Sequence, residues 1–169
     1  MRNRLWVLFL FFSITGCSHR YYVVRHAEKA AAPAGNEDLA KDPNLSVAGA
    51  ERTRALQQRL QNAKITRVYS TATIRTESTA APVATYFNLP IRKYTKVDTA
   101  FINRLRSLKE NVLVVGHSNT VDEIVNGLVP SAHMTDLPET EYDNLFIIKK
   151  KGHRYSLQKT KYGQPSVTQ

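Results

Sequence analysis

Val112-Leu113-Val114-Val115-Gly116-His117-Ser118-Asn119-Thr120 opens a stretch that runs on to Leu128 and decides the fold. Four successive apolar residues, three of them β-branched, are the pattern of a strand buried on both faces of a parallel sheet. Gly116 interrupts the run. Val121, Ile124, Val125 and Leu128 then recur at helical spacing, which predicts a helix over Thr120 to Leu128 with Thr120 and Glu123 as its capping pair. A strand feeding a helix through a tight turn is the repeating unit of α/β sheets, and ligands there bind beyond the carboxyl ends of the strands. His117 falls at such an end.

The same alternation extends in both directions. Tyr21 to Val24, Ile65 to Tyr69 and Ile91 to Tyr94 read as strands, the last a short edge strand. Helices are expected over Ser46 to Gln61 with Ser46 as N-cap, over Ile74 to Phe87 before the breaker Asn88-Leu89-Pro90, and over Thr99 to Leu108. Leu145 to Ile148 and Arg154 to Leu157 form a closing hairpin around Lys151-Gly152. Ala30 to Asn44 reads as a mobile loop and Tyr162 to Gln169 as a frayed polar tail. At 169 residues this is one domain.

Two further strand ends carry polar chemistry. Arg25-His26-Ala27-Glu28-Lys29 follows the first strand, and Ser70-Thr71-Ala72-Thr73-Ile74-Arg75 leads from the second strand into a helix. Each piece alone is weak: an Arg-His pair can cap a strand, an arginine can be a solvated helix residue, and a histidine in a turn is commonly structural. Three such pieces, each at a strand end, make a strong signal. Neutral imidazole is a competent nucleophile near pH 7. Arginine forks match phosphate oxygens in two-point contacts. Arg25, Arg75 and a protonated His117 would stabilise the charge that phosphoryl transfer develops.

These motifs resemble the histidine phosphatase superfamily, and the Arg-His-Ala-Glu-Lys form most resembles its small phosphohistidine-phosphatase-like members. Leu45-Ser46 with Gly49 is similar to the Leu-Thr-x-x-Gly segment of that family, and Tyr142 to Phe146 to the entry into its last strands. The resemblance implies a phosphoglycerate-mutase-like fold: a three-layer α/β/α sandwich with a mainly parallel sheet of about five or six strands. It implies a phosphatase acting on phosphomonoesters or phosphoramidates, with His26 as nucleophile and Arg25, Arg75 and His117 as the rest of the phosphate pocket. The alternatives are a phosphoglycerate-type mutase and a non-catalytic phosphate-binding protein. Glu28 either orients the pocket or pairs with Lys29. Ser70 and Asn119 either donate to phosphate or cap turns. Larger members supply a general acid between the second catalytic arginine and the second catalytic histidine; here Asp98 and Glu77 are the candidates, with Asp98 also a natural helix cap. No cofactor is expected and no metal-ligand spacing is present.

The chain begins with Arg2 and Arg4, an apolar run from Leu5 to Phe12, and Ser13-Ile14-Thr15-Gly16-Cys17. Basic start, short apolar run and small residues form a secretory signal, too short to span a bilayer. Ile14-Thr15-Gly16-Cys17 resembles a bacterial lipobox. Residues 1–16 are therefore expected to be a signal peptide and 17–169 an exported histidine phosphatase domain, anchored by lipid on Cys17 and facing the periplasm or cell exterior. The net charge of +10, less the two leader arginines, leaves +8. That excess suits anionic lipid headgroups or a small phosphorylated substrate, including phosphohistidine; no nucleic-acid-binding signature accompanies it. His19, His133 and His153 have no motif around them and are expected at the surface.

Overall fold

The computed structural model describes residues 18–166. In chain order the elements are β1 (Ser18–Arg25), α1 (Glu37–Lys41), α2 (Val47–Leu60), β2 (Ile65–Thr71), α3 (Ile74–Tyr86), β3 (Ile91–Tyr94), α4 (Thr99–Ser107), β4 (Asn111–Gly116), α5 (Ser118–Leu128), β5 (Asn144–Lys151) and β6 (Arg154–Lys161). They build a six-stranded sheet in the order β3-β2-β4-β1-β5-β6. β3, β2, β4 and β1 run parallel, while β5 and β6 return antiparallel. The sheet is mainly parallel, as the alternating pattern implies.

Successive residues of each strand feed opposite cores. Tyr21, Val23, Val112 and Val114 pack with Phe101 and Leu105 of α4 and Val121, Ile124 and Leu128 of α5. Tyr22, Val24, Leu113 and Val115 pack on the other face with Leu56 and Leu60 of α2 and Ala80 and Val83 of α3. Both faces of β1 and β4 are thereby sealed, which is why the Val112–Val115 run carries no polar alternation. The result is the three-layer sandwich.

Several local expectations change. α5 starts two residues earlier than its apolar periodicity, at Ser118, with His117 as N-cap. Thr120 is the reason: its Oγ1 accepts from the His117 N–H at 2.7 Å, so the cap involves Thr120 and His117 and not Glu123. A Cβ at Gly116 would lie 2.4 Å from that same Oγ1, so the turn admits only glycine there. The 30–44 loop contains the short α1. The tail is docked up to Ser166: Tyr162 is buried, and Ser166 Oγ accepts from the Tyr142 and Asp143 N–H groups. His19 is buried, not superficial; its Nε2 lies 3.0 Å from the Tyr21 hydroxyl, which donates to Leu105 O. His133 and His153 are exposed. Residues 1–16 and Cys17 lie outside the described residues.

Candidate active site

Three strand ends meet at the carboxyl edge of the sheet. The His26 N–H donates to Gly116 O at 2.8 Å, extending the β1–β4 ladder by one rung. That rung sets His26 beside His117, with ring centroids 5.5 Å apart. Arg75 enters from the first turn of α3. A cavity of about 320 Å³ is lined by Arg25, His26, Arg75 and His117, together with Asn119. Lys29, Thr73, Ser118 and Glu139 complete its wall.

The His26 ring has one orientation available for a reaction. Its Nδ1 lies 2.8 Å from the Ala27 carbonyl, an acceptor, so Nδ1 carries the proton and Nε2 keeps its lone pair. Burial, assisted by Arg25, Arg75 and His117, lowers its pKa to about 3. His26 is thus neutral and nucleophilic at pH 7. His117 behaves similarly: burial first, then Arg75 and Arg25, lower it to about 4. Asp42 acts to raise it but does not outweigh them, so the third positive charge expected of His117 is absent in this arrangement. A dianion between the two arginines would act in the opposite direction.

The two arginines are fixed differently. Arg25, 1% exposed, directs Nη1 to Pro138 O at 2.8 Å and Nη2 to Glu139 Oε2 at 2.8 Å, and lies over the Tyr142 ring at 4.5 Å. Arg75 Nη1 contacts Asp42 Oδ1 at 3.0 Å, while Asp42 Oδ2 accepts from the Ile74 N–H. Arg25 Nε and Arg75 Nε are buried without a hydrogen-bond partner in the protein. Buried donors of this kind are costly unless something accepts from them. Both belong to guanidinium groups of one cavity, and a tetrahedral oxyanion has acceptors for both.

Other predicted residues stand elsewhere. Ser70 is fully buried and donates to Thr71 O, behind the cavity. Glu28 neither faces the cavity nor pairs with Lys29; Arg52 grips both its oxygens at 2.6–2.9 Å. Gly49 allows this, since a Cβ there would lie 2.3 Å from Glu28 O. Asp98 caps α4 by accepting from the Phe101 N–H, and that bond, with Lys96, lowers its pKa, the reverse of what a proton donor needs. Glu77 pairs with Lys93 at 2.9 Å. Neither carboxylate lines the cavity.

The carboxylate that does line it, Glu139, is one that sequence reasoning missed. It sits in the connection between α5 and β5, where no periodic pattern exists to mark it. Its Oε1 accepts from the Ser118 hydroxyl at 3.1 Å, and Lys29 Nζ lies 3.8 Å from Oε2. Thr73, Ser118 and Asp42 were also missed as site residues, although Thr73 and Ser118 lie inside the motifs. A neighbouring cavity of about 570 Å³ shares Glu139 and also takes in Glu28, Glu51, Arg52 and Tyr142.

A model of the histidine phosphatase superfamily (branch 1) matches residues 21–98. No curated protein matches the chain. Among solved structures, the chain is similar to a candidate phosphohistidine phosphatase SixA from Agrobacterium tumefaciens, at TM-score 0.57 and 19% identity over 86% of this chain and 98% of that one. A mycobacterial glucosyl-3-phosphoglycerate phosphatase in complex with VO3 aligns at TM-score 0.62 and 13% identity, covering 82% and 96%. A phosphoglycerate mutase from Bacillus anthracis aligns at TM-score 0.59 and 15% identity, covering 86% and 93%. The fold is the phosphoglycerate-mutase-like one.

Proposed function

We propose that this chain is a histidine phosphatase that hydrolyses phosphomonoesters or phosphoramidates through a phosphohistidine on His26. The observation that carries the reading is the convergence on one cavity of a neutral imidazole whose Nε2 keeps its lone pair with one buried and one half-buried guanidinium, both of whose Nε donors have no protein acceptor. His26 Nε2 forms a bond to phosphorus as the bond from phosphorus to the leaving oxygen or nitrogen breaks. The leaving atom departs with the bonding pair and takes up a proton. Water then attacks the phosphohistidine, releases inorganic phosphate and restores His26. Arg25 and Arg75 hold the non-bridging oxygens throughout, so the developing charge is met by two guanidinium forks. The reading invokes no metal.

With Asp98 and Glu77 engaged elsewhere, substrates whose leaving group needs little protonation are favoured: phosphohistidine, other phosphoramidates and aryl esters. The leader pattern of residues 1–16 and the position of Cys17 support an exported, lipid-anchored enzyme facing the periplasm or cell exterior. Hydrolysis of p-nitrophenyl phosphate by the wild-type chain and its loss in His26→Ala is the expected result. Equal turnover in both would overturn the nucleophile.

A further inference from the structure

The opposite edge of the sheet, where the parallel strands begin, is strongly basic. β1 and β5 are in register there: Ser18 pairs with Lys151, His19 with Lys150 and Arg20 with Lys149. Lys151 pairs in turn with Arg154 across the Gly152-His153 turn. Arg20, Lys149, Lys151 and Arg154 are exposed. Neighbouring strands are about 4.8 Å apart, so these cations are held close together without intervening acids. α2 and α4 add Arg59, Arg104 and Arg106 from their last turns. Among the described residues, Glu110 is the acid that the register places at this edge, and Arg67 already occupies it. Asp42, Glu77, Asp98 and Glu139 lie toward the catalytic edge instead.

Such a cluster is self-repelling, although Arg106 also ties α4 to α5 by donating to Gly127 O. It suits an extended anionic surface. We propose that this edge of the sheet rests on anionic phospholipid and holds the catalytic edge away from the membrane. Two features of the molecule agree. The charge supplies attraction, because each Lys or Arg held close to an anionic leaflet adds to binding. The covalent geometry supplies direction, resting on the proposed lipid anchor: Cys17 directly precedes Ser18, which is paired with Lys151 at this same edge.

β1 then runs eight residues to Arg25. At about 3.3 Å per residue, the catalytic edge stands roughly 23 Å from the basic one. That exceeds two Debye lengths at physiological salt, each about 8 Å. The phosphate pocket is thereby removed from the lipid surface potential and opens toward soluble phosphorylated molecules rather than the headgroups of its own membrane. The inference does not depend on the catalytic reading, because neither the register nor the charge involves His26.

The test compares partition of the full chain between phosphatidylglycerol and phosphatidylcholine vesicles. The wild type is expected to prefer phosphatidylglycerol. The Lys149→Glu/Lys151→Glu/Arg154→Glu variant should lose about a hundredfold of that preference, and 0.5 M salt should abolish most of it. Lys93→Glu/Lys96→Glu, at the other edge, should change it less than threefold. Circular dichroism checks that each variant is folded. Preference retained in the triple variant overturns the proposal, as does equally tight binding of a single-stranded oligonucleotide. Orientation is read in a Cys17→Ser background: a fluorophore at His153→Cys should be quenched by headgroup-labelled lipid and one at Lys96→Cys should not. Equal quenching at both overturns the orientation.

Discussion

Glu139 Oε2 lies 2.8 Å from Arg25 Nη2 and so occupies a donor that a phosphate oxygen would need. Partial burial works to raise the Glu139 pKa, but Arg25 and the Ser118 hydroxyl outweigh it and keep the carboxylate ionised. A bound phosphate must compete with this contact. Because the Glu139 side chain is 68% exposed, water screens the pair, and its worth is that of a surface ion pair, roughly 0.2–1 kcal/mol.

Glu139→Gln should therefore tighten inhibition by inorganic phosphate by up to about fivefold, the equivalent of that energy. Competitive inhibition constants for phosphate, measured in wild type and variant, check this. Weaker phosphate binding in the variant would mean that Glu139 assists the anion instead of opposing it.

His26 and His117 offer a pH signature. Both have folded pKa values below the unfolded value of about 6.5. Between pH 6.5 and about 4 the unfolded chain binds their protons and the folded chain does not, so stability falls as the pH drops through that window. The slope approaches about 1.4 kcal/mol per pH unit for each such histidine. Urea unfolding at pH 7 and pH 5 should show the loss, and His26→Asn should reduce it. In NMR titration, neither ring should titrate between pH 8 and pH 5; a midpoint near 6.5 for either would contradict the burial argument.

Arg52 links the segment after His26 to the end of the chain. It holds both Glu28 oxygens and donates to Tyr162 O and Gln164 O at 3.0 and 2.8 Å. Breaking a sealed pair by removing one partner costs about 3–5 kcal/mol, and Glu28 keeps some contact with water. Arg52→Ala should lower unfolding free energy by about 2–3 kcal/mol on that scale, with a smaller loss in Arg52→Lys. Denaturant midpoints measure it. An unchanged midpoint in Arg52→Ala would show that the anchor is unnecessary.

The legible parts of the molecule were those whose signal is local. Arg25-His26, Thr73 to Arg75 and Gly116-His117 each sit between an apolar run and a helical pattern, so their places at strand ends follow from periodicity alone. Glu139 had no such marker. Only the return of β5 beside β1 carries it over Arg25, and residues 129–143 have no period to announce it. Asp98 was ambiguous for a chemical reason, since a proton donor and a helix cap are the same residue type. Local bonding to Phe101 N decides between them. His19 looked superficial because nothing in its neighbours reveals that it is buried against Tyr21, whose hydroxyl is itself tied to Leu105 O.

Asp42 is the remaining lever on the site, and its two effects are separable. It holds Arg75 Nη1 with one oxygen and the Ile74 N–H with the other, tying the guanidinium to the start of α3. Its negative charge also opposes a bound anion and acts to raise the His117 pKa. Asp42→Asn removes the charge and weakens the clamp. Loss of the charge is a partly solvated effect and should improve phosphate affinity less than about fivefold. Loss of the clamp acts on transition-state geometry, where a misplacement of about 1 Å can cost on the order of a hundredfold. Positioning should dominate: kcat falls about tenfold or more while KM stays level or drops. Steady-state kinetics on p-nitrophenyl phosphate separate the two. A rise in KM at constant kcat would show that Asp42 serves binding and not the alignment of Arg75.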